Sequence, residues 1–276
     1  MNSLKENVKL HWEKEVCGSQ YGRKGFNELV DLEKMARERY HLEPYIPEFA
    51  DFKTAKNKKV LEIGFGGGVD FSCWLKAGAI AAGIDLTEAA IELTKQRLNQ
   101  QGFTEEVYQL SVGDAESLKF GDEVFDIVYS YGVLHHTPDT EKAFSEVHRV
   151  LKKGGVFKAM VYHIPSVTGW ILWIRYCLLT GRFFKSPRWA IYRQLESPGT
   201  KAYTVREMHR LLEKNGFVNV KLYTKLGFGD LLLNKPSKKY QSRFYRLIWK
   251  LYPRWLIKLF GDKYGFLLFI EANKWF

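Results

Sequence analysis

A run of glycines between a short apolar stretch and a helix-forming stretch constrains this chain more than any other feature. Val60, Leu61, Glu62 and Ile63 read as a buried strand, and Gly64-Phe65-Gly66-Gly67-Gly68 follows at once. A helix then reads from about Asp70 to Lys76. Glycines in this place let the backbone approach a ligand and aim N–H groups at it from a helix start. A dinucleotide fingerprint, GxGxxG, would put its third glycine at residue 69, which is Val69. The spacing here is instead GxGxG, through Gly64, Gly66 and Gly68. No Walker lysine motif is present, so nucleoside triphosphate hydrolysis has no support.

The chain then alternates between strand and helix. Residues 79–84 read as a strand closed by Asp85, and Thr87 as the cap of a helix over 88–100. Strands follow at 107–112, ending in Gly113-Asp114, and at 125–130. Thr137 or Asp139 caps a helix through Val150, and Gly154-Gly155 turns the chain into a strand over 156–162. Thr204 caps a helix over 205–215, stopped by Gly216; strands at 218–226 and 266–270 complete the pattern. Such alternation predicts a doubly wound, mostly parallel α/β sheet with helices on both faces.

With 276 residues the chain fits one domain with additions. Residues 1–57 form an N-terminal helical cap, with a helix over 26–40 ended by Pro44 and Pro47; 58–163 form the core. Residues 201–226 and 263–276 complete the sheet. Two segments break the alternation: a lid insertion at 164–200 and a basic amphipathic insertion at 227–262. Both leave the carboxyl ends of strands, the edge where open α/β sheets bind ligands.

Glu62-Ile-Gly-Phe-Gly-Gly-Gly68, then Asp85, then Gly113-Asp114-Ala115-Glu116, then Ser130-Tyr-Gly-Val-Leu-His-His136 together resemble a class I S-adenosylmethionine-dependent methyltransferase. The broad group that includes the quinone-biosynthesis methyltransferases is the nearest in general appearance. The resemblance covers residues 58–163 with ordered motifs and 201–226 more loosely. It implies a Rossmann-like seven-stranded sheet whose last strand is antiparallel, S-adenosyl-L-methionine as cofactor and S-adenosyl-L-homocysteine as product. It also implies roles. The loop with Gly64, Gly66 and Gly68 would pack against the methionine portion. Asp85, with Leu86 beside it, would receive the ribose hydroxyls. Asp114 would meet the adenine amino group with the Ala115 backbone nearby. Glu62 would orient the loop and favour a cationic cofactor, and Ser130 belongs to the same set. Carboxylates suit these tasks, since charge-assisted hydrogen bonds are the stronger kind.

His135 and His136 follow the fourth strand at the same edge, and histidine suits removal of a proton from the acceptor. Tyr162 and His163 end the fifth strand at that rim and are secondary candidates. Trp12, Tyr21 and Tyr40 are candidates for an N-terminal lid. Nothing in the sequence calls for a metal. The three cysteines, Cys17, Cys73 and Cys177, are scattered, which argues against a disulfide scaffold or zinc site and for a reducing, cytoplasmic setting.

Charge is unevenly spread. Residues 1–163 hold 21 Lys and Arg against 25 Asp and Glu; residues 164–276 hold 21 against 6. In the second insertion Phe244, Leu247, Ile248, Leu251 and Trp255 recur at helical spacing beside Arg243, Arg246, Lys250 and Arg254, with Pro253 set to split the helix. A basic, aromatic, amphipathic segment over 236–260 suits an anionic membrane surface, a lipid-like acceptor, or a lid with a solvated basic face. No RNA-binding module is visible, which weighs against nucleic acid. The sequence thus predicts methyl transfer to oxygen, nitrogen or carbon of a small or amphiphilic acceptor. An RNA-modifying enzyme and a non-catalytic membrane or partner-binding module remain the alternatives.

Overall fold

The computed structural model describes residues 2–22, 31–233 and 249–275. Seven strands form one sheet: β1 Lys59–Ile63, β2 Ile80–Asp85, β3 Tyr108–Val112, β4 Phe125–Tyr131, β5 Leu151–Tyr162, β6 Phe217–Lys225 and β7 Leu267–Lys274. Their order is β3-β2-β1-β4-β5-β7-β6. The pairings from β3 through β5 are parallel. β7 alone is reversed, antiparallel to both β5 and β6. The doubly wound sheet is therefore the expected one. β6 points the same way as β1–β5, so both irregular segments do leave the ligand-binding edge.

Among the described residues four α-helices precede the sheet: α1 Asn2–Lys14, α2 Ser19–Gly22, α3 Leu32–Leu42 and α4 Ile46–Ala50. Crossovers use α5 Val69–Lys76, α6 Glu88–Gln100, α7 Thr140–Val150 and α10 Val205–Lys214, while α8 Val167–Tyr176 and α9 Pro187–Gln194 stand in the segment after β5. Side-chain caps set several starts. Asp31 accepts from Lys34 N and begins α3 at Leu32, later than the expected residue 26; residues 23–30 lie outside the described residues. Thr87 caps α6, and Thr204 with Glu207 forms a reciprocal capping box on α10. Asp139 caps α7, whereas Thr137 donates its hydroxyl to Leu134 O. Gly154-Gly155 sits inside β5 instead of before it. Leu151 already pairs with Phe125, and the register then slips before Val156 meets Ile127. This is a bulge made possible by Gly154 at φ +71°.

The period-two alternation of strand side chains builds a core on each face of the sheet. Val60, Phe71, Trp74, Tyr129 and Phe269 pack on one side. Leu61, Ile63, Val128, Phe144, Phe157, Leu268 and Ile270 pack on the other. Arg97 of α6 ties the first side to the N-terminal helices: its Nε donates to Gly67 O at 2.6 Å and its Nη1 to Leu32 O at 3.0 Å.

Asp230, after β6, is fully buried and accepts four hydrogen bonds, from Thr168 N and Oγ1, Gly227 N and Phe266 N. It thereby joins α8, the start of the second insertion and the entry to β7. Of the amphipathic stretch expected at 236–260, residues up to 248 lie outside the described residues, so Arg243, Phe244, Arg246, Leu247 and Ile248 are not placed. The remainder is helical at 249–251, breaks at Tyr252-Pro253 and resumes as a helix over Arg254–Leu259.

Gly68 caps α5 at φ +69°, and an added Cβ would stand 2.5 Å from Thr94 Cγ2. Gly68→Ala should destabilise the fold by about 1–3 kcal/mol from the backbone conformation alone. Gly102→Ala, at φ +80° with nothing within 4 Å, should cost less. Urea midpoints for the two variants check this ordering; equal midpoints would refute it.

Candidate active site

A cavity of about 320 Å³ opens at the carboxyl edge of the sheet, between the glycine loop, the ends of β1 to β4 and the N-terminal helices. One end is built by the glycine loop. Gly64 turns at φ +77°, where a Cβ would lie 2.3 Å from Val133 Cγ2, so only glycine lets the chain pass under the β4 loop. Gly66 N donates to Asp85 Oδ2 at 3.0 Å. Asp85 Oδ1 accepts from Thr87 N at 3.1 Å and Thr87 Oγ1 at 2.9 Å. Burial pushes the Asp85 carboxyl up, and these hydrogen bonds oppose the shift. Leu86 lies beside it in the wall.

Glu62 also lines the cavity. It is buried, and its Oε2 has no hydrogen-bond partner among the described residues. Burial, then the charge of Asp70, raises its carboxyl well above the usual range. Asp114 and Ala115 line the far end. Asp114 Oδ1 accepts from Glu116 N at 2.9 Å, while Oδ2 accepts from Lys5 Nζ at 2.6 Å. Lys5 also reaches Glu116 Oε2 at 2.6 Å, so α1 is clamped over this end by two carboxylates. Two expected residues stand elsewhere. Gly68 packs on Thr94 behind the loop, with Gly67 in the wall instead. Ser130 is buried and donates its Oγ to Ile63 O, bridging β4 to β1.

The other end is aromatic and acidic: Trp12, Tyr21, Tyr131, Phe228, Glu43, His136 and Glu196 line it. Tyr40 does not; its hydroxyl donates to Asp70 Oδ1. Asp70 is 2% exposed and also takes Arg39 in a two-point bond, Nε to Oδ1 at 3.1 Å and Nη2 to Oδ2 at 2.6 Å, plus Tyr129 OH at 3.0 Å. Glu43 accepts from Tyr131 OH at 2.9 Å, and burial raises its carboxyl.

The four candidate bases separate sharply. His163 is buried with Nδ1 on Gly265 O at 2.9 Å, and it pins β5 to the start of β7 instead of facing the cavity. His135 is fully buried, is not in the cavity wall, and has neither ring nitrogen partnered among the described residues. It stacks at 4.0 Å on Tyr162 and 4.2 Å on His136. Tyr162 lies behind the wall and donates its hydroxyl to Glu196 Oε2 at 2.8 Å. His136 does reach the cavity, but both its nitrogens are engaged: Nδ1 with Ser197 Oγ at 2.9 Å and Thr200 Oγ1 at 3.1 Å, Nε2 with Glu196 Oε2 at 3.4 Å. The ligating atoms of His135, His136 and Glu196 lie within 4.8 Å of one another, though these hydrogen bonds compete with any ion there.

Glu196 is thus the carboxylate the sequence reading passed over. Burial pushes it up, but His136 and the Tyr162 hydroxyl outweigh that and hold it below the usual range. The one available signal was its isolation: it is the only acid in 164–200, beside five Lys and Arg. Lys5, Arg39 and Glu43 carried no signal, because only long-range packing brings α1 and α3 to the cavity.

A doubly wound sheet with a reversed β7, a glycine cradle after β1 and carboxylates at the ends of β1, β2 and β3 defines a class I S-adenosylmethionine-dependent methyltransferase. The residues fit that cofactor: an unpartnered buried carboxylate oxygen on Glu62, a loop in which a Cβ at Gly64 or Gly68 would clash, and the Asp85 carboxylate at the end of β2 beside that loop. Comparison agrees. A methyltransferase-domain family matches residues 61–159. An uncharacterised methyltransferase of Synechocystis is 30% identical over 165 residues, 59% of this chain and 72% of that one. The chain belongs to this family and is a S-adenosylmethionine-dependent methyltransferase. The ubiquinone biosynthesis O-methyltransferase of Haemophilus ducreyi is 36% identical over 101 residues, 36% of this chain; the chain spans 43% of that relative's length. The structure of Haemonchus contortus phosphoethanolamine N-methyltransferase 2, complexed with phosphomonomethylethanolamine and S-adenosylhomocysteine, superposes with a TM-score of 0.58 at 18% identity. That alignment covers 86% of this chain and 52% of the other, and it supports the fold.

Asp85→Ala removes a charged acceptor at the ribose position and should weaken S-adenosylhomocysteine binding by roughly 10- to 100-fold, the loss of one or two charge-assisted bonds; calorimetry reads it. His135 gives a stability prediction. Burial first, then the charges of His136 and Lys201, holds its pKa well below 6.5. The unfolded chain takes up this proton below about pH 6.5 and the folded chain does not. Stability should therefore fall as pH drops below that value, by up to about 1.4 kcal/mol per pH unit from this group. His135→Phe should flatten that slope in denaturation measured between pH 7 and pH 5.

Proposed function

We propose that the enzyme methylates a small, amphiphilic acceptor and works at an anionic membrane surface. The observation that carries this reading is the contrast between the two insertions and the cavity they border. The insertions expose large apolar side chains: Leu179 is 76% exposed and Trp255 69%, with Phe183, Phe184, Leu251 and Leu259 similarly open. Cations stand among them. Lys185 Nζ lies 5.2 Å from the Phe184 ring and 5.7 Å from the Trp189 ring, and the Arg254 guanidinium lies 5.7 Å from the Tyr252 ring. Apolar side chains of this size interleaved with Lys and Arg favour an interface between anionic headgroups and acyl chains. No helix among the described residues is long and apolar enough to cross a membrane. The Asp230 knot places both insertions against the sheet edge that carries the cavity, which gives a membrane-borne acceptor a short route in.

Within the cavity, the glycine loop, Glu62, Asp85 and Asp114 hold the cofactor, which when bound supplies an electrophilic methyl group. Trp12, Tyr21, Tyr131 and Phe228 then form an aromatic sleeve for the acceptor. Positioning of this kind supplies up to about 7–11 kcal/mol of barrier reduction in favourable cases.

Sedimentation with vesicles tests the surface. The full chain should pellet with vesicles of phosphatidylcholine and phosphatidylglycerol far more than with phosphatidylcholine alone, and salt should release it. Trp255→Asp with Leu259→Asp, both at exposed positions, should lower the bound fraction several-fold while S-adenosylhomocysteine binding stays unchanged. Equal pelleting of variant and parent would remove the docking role of this helix.

A further inference from the structure

We infer that the acceptor group methylated by this enzyme is an amine, held by its nitrogen against the Glu196 carboxylate; this rests on the methyltransferase reading above. The first ground is charge. At the acceptor end the cavity wall carries two carboxylates, Glu43 and Glu196. Its one arginine, Arg39, is already bound at two points to Asp70 and stands 3.6 Å from Glu43. Lys5, at the other end, is taken by Asp114 and Glu116. No lining lysine or arginine among the described residues is left to receive an anion. A phosphate or carboxylate headgroup would face the Glu196 carboxylate with no free cation beside it, since Glu43 already pairs with Arg39. An ammonium would find both a counter-ion and the faces of Trp12, Tyr21, Tyr131 and Phe228, a surface that attracts cations.

The second ground is which group is open. Both nitrogens of His136 are held by protein partners, so this ring orients Glu196 and does not meet the acceptor. Glu196 Oε2 is occupied by Tyr162 and His136, which leaves Oε1 for the ligand. Its side chain is 35% exposed, so an ammonium held beside it can lose a proton to solvent.

The third ground is the chemistry. Beside Glu196 the bound ammonium loses one proton to water and becomes a neutral amine. Its nitrogen pair forms the N–C bond to the methyl carbon as the C–S bond breaks, and that bonding pair stays on sulfur. The product leaves as a methylammonium ion, and Glu196 stays a carboxylate throughout. A phenol or phosphate made nucleophilic in the same way would become an anion between two carboxylates. The amine alone passes through an uncharged form.

The test is calorimetry on the full chain saturated with S-adenosylhomocysteine, titrated with octylamine, octyl phosphate and 4-pentylphenol. Octylamine should bind at least tenfold tighter than either of the others. Glu196→Gln keeps the shape and removes the charge; it should weaken octylamine at least tenfold and leave S-adenosylhomocysteine affinity as it was. Tighter binding of the phosphate or the phenol, binding of none of the three, or an unchanged octylamine affinity in Glu196→Gln would overturn the inference. A chain that failed to bind S-adenosylhomocysteine would overturn the cofactor assignment instead, so the two failures are told apart.

Discussion

The bend from Gly64 to Gly68 is the constraint on which the rest depends. Here a strand must become a helix while the chain is pressed from one side by Val133 and from the other by Thr94. A Cβ is excluded by contact at Gly64 and Gly68, and positive φ values occur at three of the five positions. The bend is then held by its own backbone polar groups: Gly66 N on the Asp85 carboxylate and Gly67 O on the Arg97 guanidinium. Both partners come from the second βα unit. The loop is therefore rigid only when β2 and α6 are in place, and the cofactor cradle is a product of tertiary packing as much as of glycine content.

The sheet and this half of the site were legible in the sequence for a physical reason. Strand period, capping side chains and glycine spacing act over a few residues, so they leave local marks. Thr87, Asp139 and Thr204 cap the helices that follow them, and Asp85 and Asp114 sit where strands must end. The acceptor end left no such marks. Arg39, Glu43 and Glu196 meet across more than a hundred residues of chain, and only the docking of α3 and of the segment after β5 brings them together. The histidine pair shows the converse. His135 and His136 are adjacent and chemically alike, yet one is sealed in the core against Tyr162 and the other reaches the cavity. Sequence proximity could not separate them; burial does.

Charge is sorted by depth. The chain carries a formal net charge of +11, while the cavity wall holds Glu43, Glu62, Asp70, Asp85, Asp114 and Glu196 against Lys5 and Arg39. A basic chain thus encloses an acidic chamber. In the proposed function the exterior meets an anionic surface and the interior a cationic ligand, so that approach and capture would be governed by opposite signs. The two fields do not cancel, because the interior carboxylates act at short range in a poorly solvated space.

Asp230 has a mechanical consequence. One buried carboxylate gathers amide and hydroxyl donors from three stretches of chain that are far apart in sequence. Moving α8 without moving the segment after β6 would strand that charge away from water, at a cost of several kcal/mol. The start of α8, the start of the segment after β6 and the entry to β7 are therefore yoked at one buried point.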